Sequence, residues 1–335
     1  MEIVRRRTIK FYLRINLKKA FVIFFLFQRL CIRSQKKEKI LMTIFNIQFD
    51  DVHFLNDVKL GSITFQPLKF LFKNKPSNLK SMDQLFEEEL VSIEEIGIDG
   101  RVEEVNVKNY SKDFLFVPDG EAIVGAKQNR ISERSVIIAP YFSQKIPVKC
   151  VEQYRWNYEE GTEFAKSDFV LHPKAREEKA ELLKKGENSK IQNAVWNNIS
   201  SLSEKHEVNC MSMDLGDILH SSKKYFDLDY FDRVKDFSFN AYIVSGAGRT
   251  FIEFFYDDEV CKRHVKKSIK GWMADADDLT RTVDINKEEV VKSFIKSEWK
   301  EEDSISIEQA FSSDLKNSGR CIFLAQNLIH AYYYV

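Results

Sequence analysis

Cysteine is sparse. The 335 residues hold five (Cys31, Cys150, Cys210, Cys261 and Cys321), no two of them closer than 51 positions. That spacing excludes a disulfide framework and a CxxC metal pattern, and it points to a reducing cytoplasm. The six histidines include no pair three or four residues apart, so no helix offers two imidazoles to one metal, and no metal site is expected. Neither GxxxxGK[ST] nor GxGxxG occurs. Gly246 and Gly248 lack a third glycine and read as a hairpin. Long apolar runs are missing too. The stretch from Ala20 to Phe27 is far short of the about 20 residues that cross a bilayer, so no transmembrane segment is expected. There are no repeats and no low-complexity tracts.

Charge of one sign is lacking overall, but unevenly. The chain carries 51 Lys/Arg and 51 Asp/Glu; residues 1–41 hold 12 and 2 of these, leaving 39 and 49 for residues 42–335. An acidic body argues against general nucleic-acid binding, which needs a basic surface. The basic first 41 residues read either as a surface helix touching anionic lipid or as sequence upstream of a true start at Met42. They are set apart from the fold as a basic apolar extension.

Residues 42–335 read as one domain, with a β-rich part at 42–156 and an α/β part at 157–335. Hydrophobic content of 44% and 27 Phe suffice for a sizeable core. Short strand-like runs recur about every ten residues from Val91 to Val151. They predict an α+β fold whose antiparallel sandwich or barrel-like core takes in about 42–156 plus the C-terminal strands. Ser81 with Gln84 three residues on has the spacing of a capping box. Pro173 to Lys185, bounded by Pro173 and Gly186, predicts a helix, and Ile191, Val195, Ile199 and Leu202 mark another. Helices are also predicted over Asp257–Met273 and Glu288–Trp299, and strands over Phe239–Ser245, Thr250–Tyr256, Cys321–Leu324 and Leu328–Val335. Lys262-Arg263 and Lys266-Lys267 read as a solvated helix face.

Two polar clusters stand out inside the strand-like region. One runs from Gly120-Glu121 through Gly125 to Gln128-Asn129-Arg130. The other is Cys150-Val151-Glu152 leading to Arg155-Trp156. Amide side chains pair donors with acceptors, and arginine offers a planar fork suited to phosphate or carboxylate. If Glu121 to Arg130 is extended, alternation sets Glu121 and Asn129 on one face and Gln128 and Arg130 on the other, with a bend near Gly125 needed to bring them together. Cys150 beside Glu152 reads as a buried, inert thiol.

These segments, GEAIVGAKQNR (Gly120–Arg130) and IPVKCVEQYRW (Ile146–Trp156), resemble the ARG and rhodanese-phosphatase-superfamily-associated protein domain family. The similarity runs from about Gly61 to the C-terminus and includes TFQPL (Thr64–Leu68), Gln192, Val195-Trp196 and Leu328-Ile329-His330. It departs at Tyr154, a bulky residue where a small one is expected. The family name records association with ADP-ribosylglycohydrolase and phosphatase domains. The resemblance therefore implies a role near ADP-ribose metabolism, in a stress or conflict system. The first expectation is an enzyme acting on a small phosphorylated, nucleotide-like or ADP-ribose-linked ligand. Glu121 and Glu152 are then the candidate acid and base, and Gln128, Asn129, Arg130, Arg155 and Trp156 the ligand contacts. The alternative is a non-catalytic binding or scaffold module in which the same residues are struts. Neither the residues nor the resemblance names a cofactor, a reaction or an oligomeric state.

Overall fold

The computed structural model describes residues 47–72, 76, 78–97, 100–157, 163–222, 237–246, 248–276, 286–313 and 318–335. The chain divides into two units, Met1–Met42 and Thr43–Val335, and every described residue belongs to the second. The expectations for residues 1–41 lie outside the described residues. The fold is α+β, with its strands in three sheets.

The largest sheet is wholly antiparallel. It takes β1 (Val52–Phe54), β2 (Val58–Leu60) and β3 (Ile63–Phe70) from early in the chain. From far downstream it takes β13 (Ala241–Gly246), β14 (Arg249–Phe255), β15 (Trp299–Glu302), β16 (Gln309–Ser313), β17 (Gly319–Leu324) and β18 (Asn327–Tyr334). The order is β1-β3-β13-β14-β18-β17-β16-β15, with β2 on β3. Leu68 of β3 faces Ala241 of β13.

The intervening chain builds a six-stranded antiparallel sheet from β5 (Val91–Glu95), β6 (Glu104–Asn109), β8 (Glu121–Gly125), β9 (Arg130–Ser132), β11 (Ser143–Cys150) and β12 (Phe164–Val170). Its order is β12-β8-β9-β11-β6-β5. A three-stranded sheet joins β4 (Leu79–Ser81), β7 (Phe114–Val117) and β10 (Val136–Ile138), and its β4–β7 pair is parallel.

Six α-helices lie among the described residues. They are α1 (Met82–Glu87), α2 (Pro173–Lys185), α3 (Ile191–Lys205), α4 (Leu215–Ser221), α5 (Asp258–Asp275) and α6 (Lys287–Lys296). Local chemistry sets their ends. Ser81 and Gln84 close the capping box of α1 reciprocally. Pro173 opens α2, and Gly186, at φ +72°, ends it in the left-handed region. Asp257 accepts from the Glu259 and Val260 amides to start α5.

Period-two alternation gives the large sheet two different faces. Leu68, Phe70, Ile243, Ile252, Phe254, Ala331 and Tyr333 pack with Val291 and Phe294 of α6 in one apolar core. The other face carries Tyr242, Phe251, Glu253, Phe255, His330, Tyr332 and Tyr334, all buried. Helix α5 packs against β12 of the six-stranded sheet and against β13 and β14 of the large one. A polar face buried beneath a helix that touches both sheets is the feature that positions the site.

Four expectations are corrected. Helix α6 stops at Lys296 rather than Trp299, which is buried and opens β15. Lys267 is buried, so the basic run on α5 is not all solvated face. Strand β12 stands where the sequence marks no element, between Trp156 and Pro173. Glu121 to Arg130 is not one extended strand: it is the β8–β9 hairpin, with Gly125 at φ +110° and Ala126 at φ +45° in its turn. Ile123 lies opposite Arg130, so Arg130 shares the face of Glu121 rather than opposing it.

Candidate functional site

The two polar clusters do meet. Gln128 Nε2 donates to the Glu152 carbonyl at 2.9 Å, and the Asn129 amide donates to Glu152 Oε2 at 3.1 Å. Arg155 Nε donates to Glu152 Oε1 at 2.6 Å, and an Nη2 of Arg155 reaches Asn129 Oδ1 at 3.3 Å. Asp214 joins them by accepting from Asn129 Nδ2 at 2.8 Å, and its backbone bridges Glu152. Glu152 therefore pairs with Arg155, not Arg130.

These groups turn inward on one another. Gln128 and Glu152 are buried, and Arg130 is 0% exposed. Arg130 donates to the carbonyls of Arg101 and Val102 at 2.8 and 2.7 Å and to Glu95 at 3.1 Å. Trp156, 40% exposed, lies over the Arg130 guanidinium at 5.6 Å, with Lys127 5.2 Å from the same ring. This arrangement braces the β8–β9 hairpin against the end of β11. Cys150 is buried, and burial pushes its thiol up, which leaves it inert.

Glu121 is elsewhere. It is buried and bonded to Lys267 Nζ of α5; the same ammonium reaches Asp83 Oδ1 of α1 at 2.6 Å. His264, one turn before Lys267, places Nδ1 3.6 Å from Glu121 Oε2 and Nε2 3.5 Å from Glu253 Oε2. Asp83, Glu121, His264 and Arg263 line a shallow cleft with Ser81 and Pro118, which has room for about one water molecule.

The carboxylates of this cleft are driven apart. Burial raises Asp83, and the neighbouring Glu121 charge raises it further, against the pull of Lys267. Burial also pushes Glu121 upward, but Lys267 and His264 outweigh it and hold its carboxyl below the ordinary value. Desolvation acts to lower His264, and the charges of Glu253 and Glu121 leave it raised. The two carboxyls are thus shifted in opposite directions.

Behind the cleft the polar groups continue. Glu253 accepts from Arg176 at 2.5 Å and from Tyr242, and His330 Nε2 lies 2.9 Å from its Oε1. Arg176 also holds Asp119 at 2.7 Å, and its guanidinium stacks 4.7 Å from the Tyr332 ring. Lys179 reaches Asp119 at 2.6 Å; burial lowers it to about 8 against the Asp119 charge.

Sequence reasoning missed Asp83, Asp119, Arg176, Lys179, Glu253, His264 and Lys267. A signal existed for two of them. His264 and Lys267 stand three apart and follow the buried stripe of Val260, Cys261 and Val265, so both continue a covered face. The remaining partners are too distant along the chain for any spacing rule to join them.

Fold and site together define an α+β protein with a buried acid–base network between its sheets. The chain belongs to the ARG and Rhodanese-Phosphatase-superfamily-associated Protein domain family, whose model matches residues 51–334. No curated protein and no solved structure matches it. Among the described residues, no helix is long and apolar enough to cross a membrane.

Proposed function

We propose that the protein binds a small phosphorylated, nucleotide-like or ADP-ribose-linked ligand across the mouth of the shallow cleft between α1 and α5, with only its reacting group entering, and acts on it by acid–base chemistry. The observation that carries this reading is the Asp83–Glu121 pair, bridged by Lys267, with the Asp83 carboxyl shifted up and the Glu121 carboxyl held down. Of two neighbouring carboxyls shifted in opposite directions, the one shifted up is suited to protonate a leaving group and the one held down to activate water or steady developing positive charge. Glu121 keeps its expected catalytic part, and Asp83 takes the acid's part. Arg263, which bonds Glu87 and Glu259 at the cleft, is the group to receive a phosphate when it leaves them. The ADP-ribose link is supported by the family's name alone. The four free thiols among the described residues fit a reducing cytoplasm.

A specific observation favours a second reading. Gln128, Asn129, Glu152 and Arg155 bond one another and the backbone, Arg130 turns inward to Glu95 and two carbonyls, and only Trp156 of the expected contacts is exposed. On that reading these residues are struts of a non-catalytic module.

A thermal-shift screen with NAD, ADP-ribose, nucleotides and sugar phosphates separates the two. Ligand at a hundredfold excess over its Kd stabilises the folded chain by about 2.7 kcal/mol. The shift should vanish in Glu121→Gln and Asp83→Asn. If no compound in the panel moves the melting temperature, the scaffold reading stands.

A further inference from the structure

Glu253 faces a second histidine, and that histidine faces a serine. His330 of β18 accepts at Nδ1 from Ser135 Oγ, 2.8 Å away, and its Nε2 lies 2.9 Å from Glu253 Oε1. Ser135 immediately precedes β10, and its Oγ also accepts the Asp119 amide at 3.0 Å. The proton positions follow from these partners. Glu253 is held ionised, well below the ordinary glutamate value, against the upward push of burial, because Arg176 and His264 lie against it. An ionised oxygen at 2.9 Å requires a proton on Nε2 of His330. Nδ1 then carries the lone pair. The Asp119 amide occupies one acceptor direction of the hydroxyl, so the Ser135 proton points to the imidazole. The ring is fixed in place by Phe255 at 4.7 Å and Phe116 at 5.7 Å between centroids. Ser135 and His330 line a small cleft with Arg320, Tyr332, Cys321 and Ile322. Arg320, paired with Glu302, is the cationic group of that lining.

We propose that Ser135 is a nucleophile that takes up a small acyl group from a carboxylic ester, with His330 as its base and Glu253 as the positioning residue for His330. Ser135 Oγ bonds to the ester carbonyl carbon as its proton passes to Nδ1 of His330. Arg320 faces the oxygen that becomes negative. The tetrahedral adduct collapses, the bond from carbon to the leaving oxygen breaks, and the Nδ1 proton goes to the departing alcohol. Water then gives a proton to His330 and its oxygen to the acyl carbon, releasing the carboxylic acid and restoring the Ser135 hydroxyl. Ser135 and His330 are buried and the cleft has room for about one water molecule, so even an acetyl group must displace part of the lining to enter, and larger acyl groups are excluded.

This centre lines a different cleft from the Asp83–Glu121 pair, to which Glu253 and His264 connect it, and its test needs no nucleotide. The full chain is incubated with a compact alkyl fluorophosphonate and read by intact mass and peptide mapping, and turnover is followed with 4-nitrophenyl acetate. Folded protein should gain one adduct, on Ser135, and protein unfolded in guanidinium should gain none there. Ser135→Ala should lose both the adduct and the ester hydrolysis. His330→Gln should slow labelling about 100-fold or more. The wild-type chain decides the matter even if both variants fail to fold. No adduct on the folded chain, an adduct at another residue, or equal labelling at Ser135 after unfolding overturns the proposal.

Discussion

Arg130 exchanges water for two backbone carbonyls and one carboxylate, with Trp156 across its face. The sequence presents the same residue as a ligand contact on one reading and a strut on the other. Its complete burial favours the strut. Arg130→Ala leaves Glu95 as an unpaired charge in the interior and should cost about 3–5 kcal/mol by urea denaturation. Arg130→Lys should recover little of it, because an ammonium cannot reproduce a fork whose Nη1 serves both carbonyls while Nη2 reaches Glu95. Lys267 has the mirror role between two acids. Lys267→Met leaves Asp83 and Glu121 repelling each other, and a proton taken up by either relieves the repulsion. Its stability deficit should therefore be larger at about pH 7 than at about pH 5, measured as the difference in urea midpoint from wild type.

At the scale of elements, ends and capping residues were legible in the chain and strand partners were not. The Ser81–Gln84 capping box and the Pro173–Gly186 frame of α2 stand where the residues put them, because each depends on neighbours within four positions. Ser81→Ala should cost about 1 kcal/mol, read from thermal or urea unfolding, by orphaning the amide it caps. Strand β12 escaped notice because its burial does not alternate: its register on β8 shifts between Lys166 and Val170, and the bulge breaks the period of two. The end of α6 was overrun because Trp299 continues its apolar spacing, although it begins a strand pairing with Ser313. The same locality explains the site. The Gln128–Arg130 and Glu152–Trp156 clusters could be read as meeting because β9 pairs with β11. Their burial could not, because it depends on Glu95 and Asp214, each more than 30 residues from Arg130 or Glu152.

Over the whole molecule, three acids buried at its centre share one sign. Burial pushes Asp119, Glu121 and Glu253 up, yet Lys179, Arg176, Lys267 and His264 hold each below its ordinary value. A carboxyl whose folded value is depressed contributes stability above its unfolded value and loses it as pH falls. Unfolding stability should therefore drop steeply below the ordinary glutamate value of 4.5, seen as a falling urea midpoint. Near neutrality the two histidines oppose each other. His264 is raised, so its contribution fades as pH climbs through its folded value; His330 is lowered, chiefly by burial, so its contribution fades as pH falls through 6.5. The first loss sets in above 6.5 and the second below it, so the midpoint should peak near pH 6.5 and decline on either side.

Strand β3 finds its partner β13 only across the register of Leu68 with Ala241. At a ribosomal pace of about 5–20 residues per second, that edge waits roughly 10–30 s for its complement. A nascent chain showing bare backbone donors and acceptors for so long is a natural client of holdase chaperones, and crowded polysomes would make it prone to mispairing with its own siblings.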